Sequence, residues 1–316
     1  MLELDLLVHR RQLVAEGVVQ LDLRAPDGAA LPPFDAGSHV DVQAADGVIR
    51  QYSLSNDPSE THRYVLGVLL DRASRGGSAG VHRWQDGQRV RIGLPRNNFA
   101  LRPGRGPVVL VAGGIGITPL KSMAHALWRA GRDFRLHYFA RSRTRAAFWP
   151  EFQAAPFAHL LQAHFDDDGG GLPLPAHALA PQADAQVYVC GPQGFIERVT
   201  QDARAAGVAS DAVHVEHFAA VANASQDDAG FSVEAVRSGR TVHVRADQSI
   251  AQALEAAGIQ VLLSCEQGLC GTCLTHVLDG EPEHRDSYLT DEEKAANAKI
   301  AICCSRSRTP VLKLDI

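Results

Sequence analysis

The chain has 316 residues, of which 45% are hydrophobic and 21% charged, and 31 basic against 36 acidic side chains give a formal charge of −5. A single core stops growing near ~250–300 residues, so two or three domains are expected, and the ordinary apolar content excludes a disordered chain. The negative balance argues against nucleic acid or an anionic membrane as a partner; with no apolar run of bilayer length and no secretory pattern in MLELDLLVHRR, a cytoplasmic monomer is expected.

Apolar residues alternate at Leu2, Leu4 and Leu6, at Val19, Leu21 and Leu23, and at Val40 and Val42, with the turn clusters APDG and AADG between them. That period predicts an antiparallel β-barrel over residues 1–103. It contains RQYSLSN, with Arg50, Tyr52 and Ser53, and SRGGSAGVH, with Gly76, Gly77 and Ser78 at an expected helix start. From residue 104 the pattern changes. PVVLVA runs into Gly113, Gly114 and Gly116, a helix opens at Thr118 and stops at Gly131, and the strand-like FRLHYFA and AQVYVCG follow. This alternation predicts an α/β domain with a mainly parallel sheet over 104–226. Its last clear strand ends in Cys190, Gly191 and Pro192.

AAVANASQDDAG, residues 219–230, is small and polar and reads as a linker. Residues 227–316 read as a small mixed α/β module. FSVEAVRSGRTVHVRA predicts a hairpin around Ser-Gly, and SIAQALEAAG predicts a helix opened by a Ser249–Gln252 capping box and ended by Gly258.

Six cysteines are too few for a disulfide scaffold in a chain of this length, and four form an array that needs free thiolates, which points to a reducing compartment. Cys265, Cys270 and Cys273 share one loop, and Cys303 follows after 29 intervening residues. This is the plant-type spacing for a 2Fe-2S cluster, in which each iron takes two thiolates. Structural zinc is the alternative; it favours paired C-x2-C units and would leave this loop with a cysteine too many. Cys304 would make the interval one residue too long. Gly268 and Gly271 let the loop curl so that N–H groups face the sulfides.

The turn at 113–116 suits a pyrophosphate, because its glycines permit close approach and the following helix start offers unpaired N–H donors. Alone it is weak, since many strand-to-helix turns are merely structural. The Cys190-Gly191-Pro192 turn adds weight, although from chemistry alone Cys190 is a buried, inert thiol. A hydride carries two electrons together whereas a 2Fe-2S cluster accepts one at a time, so a chain coupling the two needs a flavin between them.

Taken together, these motifs resemble the ferredoxin-NADP reductase superfamily followed by a plant-type ferredoxin, the arrangement of the phthalate dioxygenase reductase family. HVDVQ, PRNNF, CEQGLCGTC, HRDSYLTDEEKAAN and CCSRS are most similar to the vanillate O-demethylase reductases within it. The resemblance implies FMN bound by Arg50, Tyr52, Ser53, Gly76, Gly77 and Ser78, and NADH bound by Gly114, Gly116, Thr118, Cys190, Gly191 and Pro192. It also implies Phe218 of EHF at the flavin face, a β-grasp fold over 227–316, and a Rieske-type oxygenase as electron acceptor. The rival readings are a reductase serving a di-iron hydroxylase and a non-enzymatic 2Fe-2S redox sensor. No general acid or base is required, and neither H-E-x-x-H nor G-x-S-x-G occurs.

Two charge runs invite recognition roles. Arg141, Arg143 and Arg145 stand where a 2′-phosphate would be caught, which keeps NADPH open as donor. Residues 279–293 hold seven carboxylates against Arg285, a solvated face or an acidic collar for docking, in which Glu281, Glu283 and Asp286 would steer the acceptor.

Overall fold

The alternating segments of the first hundred residues become strands β1 (Leu4–Ala15), β2 (Val18–Arg24), β3 (His39–Ala45), β4 (Val48–Ser53), β5 (Tyr64–Leu69) and β6 (Arg89–Ile92), with the short helix α1 (Gly77–His82) before β6. The structure is a computed structural model that describes residues 2–45, 48–71, 76–169, 171, 174, 184–218, 230–263, 268 and 270–316. The linker expected at 219–230 therefore lies outside it except for Gly230. The six strands form an antiparallel sheet in the order β4-β3-β6-β1-β2-β5. A Leu54↔Leu66 bridge joins its two edge strands, closing the barrel and removing exposed edges. Inward residues such as Val8, Leu21, Val40, Val42 and Leu66 are fully buried in its core.

The second pattern gives β7 (Val108–Gly113), α2 (Ile117–Arg129), β8 (Phe134–Ala140), α3 (Trp149–Ala154), β9 (Leu161–Phe165), β10 (Gln186–Cys190), α4 (Gln193–Ala205) and β11 (Val213–Glu216). All neighbours in this sheet pair parallel, in the order β11-β10-β7-β8-β9. Gly131 takes φ +61° just past α2, the left-handed stop that glycine adopts without strain. Barrel residues Val18, Ala36 and Phe99 share a core with Leu120, Met123 and Leu127 of α2.

The chain divides into two compact units, Met1–Phe218 and Ala219–Ile316. The second contains β12 (Phe231–Ala235), β13 (Arg240–Val244), α5 (Ile250–Ala256), β14 (Leu274–Asp279), β15 (Pro282–Glu283), α6 (Asp291–Ala295), β16 (Lys299–Ala301), β17 (Arg306–Ser307) and β18 (Val311–Leu314). Its main sheet is mixed, in the order β13-β12-β18-β14-β16 with β12 and β18 parallel. Ile250, Ala251, Ala253 and Leu254 of α5 are buried in the core beneath it, the β-grasp arrangement. The hairpin and the capping box are both present where the sequence places them.

Candidate functional site

In the parallel sheet the chain runs from β7 outward to β8 and β9, then crosses back to β10 on the other side of β7. The carboxyl ends of β7 and β10 therefore flank a switch point, where the two outgoing connections diverge and leave a crevice. The turns that leave these strands carry the two nucleotide motifs, and the structure brings them into contact. A Cβ on Gly116 would collide with the Cys190 carbonyl, and one on Gly191 would lie 2.7 Å from the Phe195 ring and 3.0 Å from the Gly113 Cα. Phe195, which sequence reasoning did not single out, is thus a wedge between the turns; its signal was an aromatic residue following two such glycine turns. Gly114 differs from its neighbours: it takes φ +56° and nothing lies within 4 Å of where its Cβ would be. Helix α2 begins at Gly116 without a side-chain cap, while the Thr118 hydroxyl donates to the Ile115 carbonyl at 3.0 Å. A 3-10 turn at 114–116 runs directly into α2, and the Ile117 N–H donates to the Gly114 and Ile115 carbonyls, so the uncapped start is that of the turn itself, beside the open Gly114, and it fits a phosphate-bearing ligand. Pro192 is the N-cap residue of α4, which is likewise uncapped by a side chain.

Cys190 is fully buried, and burial, then the neighbouring Glu216, pushes its thiol well above the ordinary range. It is a neutral, packed thiol. Glu216, opposite Cys190 across the β10–β11 pair, was also missed from sequence. Although the residue is partly exposed, its Oε2 is sealed and meets no hydrogen-bond partner among the described residues, and burial raises the carboxyl to about 8. Its only signal was an acidic residue ending an apolar-alternating edge strand that is half-buried throughout. Phe218, two residues on, is partly buried against the core shared by the barrel and α2.

On the barrel, Arg50 pairs with Val42 and Tyr52 with Val40, so the two share a face of β4, whereas Ser53 pairs with His39 on the opposite face. Arg50 lies directly over Gly77, where a Cβ would sit 2.8 Å from its Cγ. Gly76 is the N-cap of α1 at φ +96°, again without a side-chain cap, and the Ser78 hydroxyl accepts the Asp71 N–H at 3.0 Å. The structure thus joins the arginine motif to the second glycine loop, a cationic side chain beside a glycine-opened helix start, which fits a flavin phosphate. Burial pushes the Tyr52 phenol up to about 12, with Arg50 pulling the other way, so it stays a neutral donor at physiological pH. Ser53 is 5% exposed.

In the second unit Cys265 lies outside the described residues. Of the remaining three ligand candidates, Cys273 and Cys303 place their sulfurs 3.2 Å apart, and Cys270 Sγ donates to Thr272 Oγ1 at 3.2 Å. The Gly268 N–H donates to Cys303 Sγ at 3.3 Å, and Gly268 and Gly271 take φ +69° and +71°. The hydrogen bond with Cys303, followed by burial, pushes the Cys273 thiol far above its usual range. Sulfurs crowded together and faced by a backbone N–H are a donor set that iron would relieve, and they fit the 2Fe-2S cluster. Cys304 packs behind Gly268, and the Tyr288 ring fills the space over Gly271.

The acidic collar requires correction. Asp286 is 4% exposed and accepts the Tyr288 and Leu289 N–H groups at 3.2 and 2.8 Å, so it organises the turn beneath the cluster loop and offers no charge to a partner. Asp279 pairs with Lys313 at 3.2 Å, Glu281 with Arg308 at 2.9 Å and Glu283 with Arg285 at 2.8 Å, while Glu293 closes a capping box with Thr290. In the arginine run, Arg143 pairs with Asp168 at 3.3 Å and Arg145 with Glu16 at 3.1 Å. Arg141 is exposed.

Residues 233–308 match the family model of the 2Fe-2S iron-sulfur cluster binding domain. Over its whole length the chain is similar to the vanillate O-demethylase oxidoreductase of Pseudomonas sp. (strain HR199 / DSM 7063), 47% identical across 99% of this chain and 100% of that one. Among solved structures it matches phthalate dioxygenase reductase, described as modular for electron transfer from pyridine nucleotides to 2Fe-2S, with TM-score 0.79 and 36% identity over 99% of this chain and 98% of that one. It also matches an intact type IV self-sufficient cytochrome P450 monooxygenase, with TM-score 0.82 and 39% identity, covering 99% of this chain and 41% of that one. The chain belongs to the phthalate dioxygenase reductase family, and is an electron-transfer oxidoreductase that works with flavin and 2Fe-2S.

Proposed function

We propose that this chain is the NADH-dependent reductase component of a Rieske-type aromatic oxygenase or O-demethylase, a monomer with FMN in residues 1–103, NADH in 104–226 and the cluster in 227–316. The observation that carries this reading is the contact between the 113–116 and 190–192 turns at the switch point, in one compact unit with the barrel. Relatives named for vanillate and phthalate oxygenation support an aromatic substrate on the partner's side. Among the described residues no helix is long and apolar enough to cross a membrane.

Bound flavin supplies the ability to take two electrons as a hydride and release them singly to a one-electron relay. The protein's own part is placement. Arg50 and the backbone of 76–78 hold the flavin phosphate, with Tyr52 and Ser53 beside the ring. Gly114 would let the dinucleotide approach the N–H groups of the 114–116 turn, Gly116 and Thr118 would hold that turn against the 190–192 turn and the barrel, and the 190–192 turn and Phe218 would border the nicotinamide. Cys265, Cys270, Cys273 and Cys303 would hold the cluster. The internal pairing of Arg143 and Arg145 supports NADH over NADPH, because a 2′-phosphate would have to displace Asp168 and Glu16.

Acid-released flavin identified by mass, together with iron and labile sulfide per chain and anaerobic bleaching by each donor, tests the reading. FMN, one cluster and a higher kcat/KM with NADH are expected. Absence of flavin, or bleaching by neither donor, would overturn it.

A further inference from the structure

Lys121 lies on α2 one turn past Thr118, on the same helix face, and is only 6% exposed. A buried ammonium requires partners. Three groups from two elements provide them: Glu151 Oε2 of α3 at 2.9 Å and the ring of Phe148, the N-cap residue of α3, with its centroid 4.9 Å from Nζ, and the Ser55 carbonyl of the barrel at 3.3 Å. Ser55 is two residues past Ser53, and its N–H and hydroxyl both donate to the Val65 carbonyl at 2.9 Å, so this carbonyl is tied to β5.

Phe148 is 1% exposed and takes φ 60°, a left-handed conformation that a bulky residue holds only when its surroundings impose it. Its ring presses on Gly67 of β5. A Cβ there would lie 2.7 Å from Phe148 Cζ and 2.8 Å from Thr118 Cγ2. The start of α2 and the start of α3 therefore close through Thr118 and Phe148 on a point of the barrel that carries no side chain, and Lys121 is a cation that links all three.

We propose that Lys121 is a positioning residue for flavin reduction: by tying the Ser55 carbonyl to α2 and α3, it fixes the distance between the flavin-binding strand β4 and the nucleotide-binding turn at 114–118. This rests on the function proposed above. Bound flavin would supply the acceptor for the two electrons that a dihydronicotinamide gives up as a hydride, and Lys121 would act through the Ser55 carbonyl and Glu151 without bonding to either cofactor. Transfer is steep in distance, falling about 10²-fold for a misplacement of about 1 Å. A lysine serving stability alone would change melting without separating binding from transfer.

The test uses full-length holoprotein with Lys121→Met, Lys121→Arg and Glu151→Gln, following anaerobic bleaching of the flavin over a range of NADH concentrations, alongside flavin content, dithionite bleaching and melting temperature. Lys121→Met is expected to lower the limiting rate at least about 10-fold while half-saturation by NADH and dithionite bleaching stay within about 3-fold, and Lys121→Arg to recover most of the loss. A wild-type limiting rate in Lys121→Met overturns the proposal, as does an equal loss in both variants. Should Lys121→Met not fold or hold flavin, Glu151→Gln decides: a slowing of about 3-fold supports the proposal and an unchanged rate overturns it. Wild-type protein bleached by dithionite but not by NADH would remove the function reading itself, and this one with it, before any variant is compared.

Discussion

Helices α2 and α5 begin in opposite ways. At the start of α5 the Ser249 hydroxyl accepts the Gln252 N–H at 3.1 Å, and the Gln252 side chain accepts the Ser249 N–H at 3.0 Å. At the 3-10 turn 114–116 that leads into α2 no side chain caps the first N–H groups, and Gly114 faces open space. A cap stabilises by about 1 kcal/mol, so omitting it leaves donors that a ligand can satisfy. Helices α5 and α6 of the second unit both close their own starts, since α6 also carries a capping box, whereas α2 and α4 of the first unit begin without a side-chain cap at the two nucleotide turns; α3 is uncapped as well but stands at none of the glycine motifs. Groups that already have partners hold the fold, and an uncapped start marks a site where an open glycine stands beside it, as Gly114 does.

The largest effect should come from breaking the closed side of the nucleotide turn. Gly116→Ala would drive a methyl into the Cys190 carbonyl, and backbone cannot move aside as a flexible side chain can. Overpacking of this kind costs about 3 kcal/mol, so the first unit should melt roughly 6–12 °C lower and NADH-driven bleaching should fall more than about 10-fold. Wild-type melting would show that the two turns are not packed together.

Glu216 should give the next largest effect. Its carboxyl is raised to about 8 from an ordinary 4.5, so the fold holds the neutral form and its contribution is complete below 4.5 and is lost as the pH climbs to 8. Buried His39 and His164 and half-buried His125 and His214 are all lowered from 6.5, chiefly by burial, and give the opposite slope below that value. Between pH 6.5 and 8 the carboxylate acts alone among these groups, at up to about 1.4 kcal/mol per pH unit. Melting of the first unit should therefore fall across that window in wild type and stay flat in Glu216→Gln. Equal slopes would place the carboxyl in water.

Gly114→Asp should sharpen the contrast from the open side. Aspartate tolerates the left-handed backbone, and its charge would favour the bare start of α2 while repelling a dinucleotide phosphate. The KM for NADH should rise at least about 10-fold with melting unchanged or higher, whereas a fall in both KM and stability would contradict an anion site. Ser249→Ala removes a cap that no ligand replaces, so it should cost the second unit about 1 kcal/mol and leave bleaching by NADH untouched.

What sequence made legible follows the same division. Alternation located the barrel strands, glycine located the stop of α2, and Ser249 with Gln252 announced their box, because each is decided by residues within one turn or one strand of each other. Asp286 was misjudged because its environment is set by Ser305 and by the turn it closes, and the pairings of Glu281 and Asp279 by Arg308 and Lys313, residues 27 and 34 positions away. Lys121 was invisible for the same reason: a lysine in TPLKSM reads as a solvated helix face until Ser55 and Glu151 are folded onto it.

The smallest effect is expected where sequence suggested a docking charge. Glu281 and Glu283 each lie within 2.9 Å of an arginine of their own chain, so their outward field is already largely cancelled. Such exposed pairs contribute about 0–1 kcal/mol, and Glu281→Gln with Glu283→Gln should change the second unit's melting little and the rate of electron delivery to an oxygenase less than about 2-fold. The same measurement on Asp286→Asn should instead show a stability loss of about 1–3 kcal/mol, because there the charge accepts two buried N–H groups. If the double variant slowed delivery more than about 5-fold at unchanged melting, with the deficit vanishing at high salt, the arginine partners would have to let go on docking, and a paired carboxylate would count as an open one.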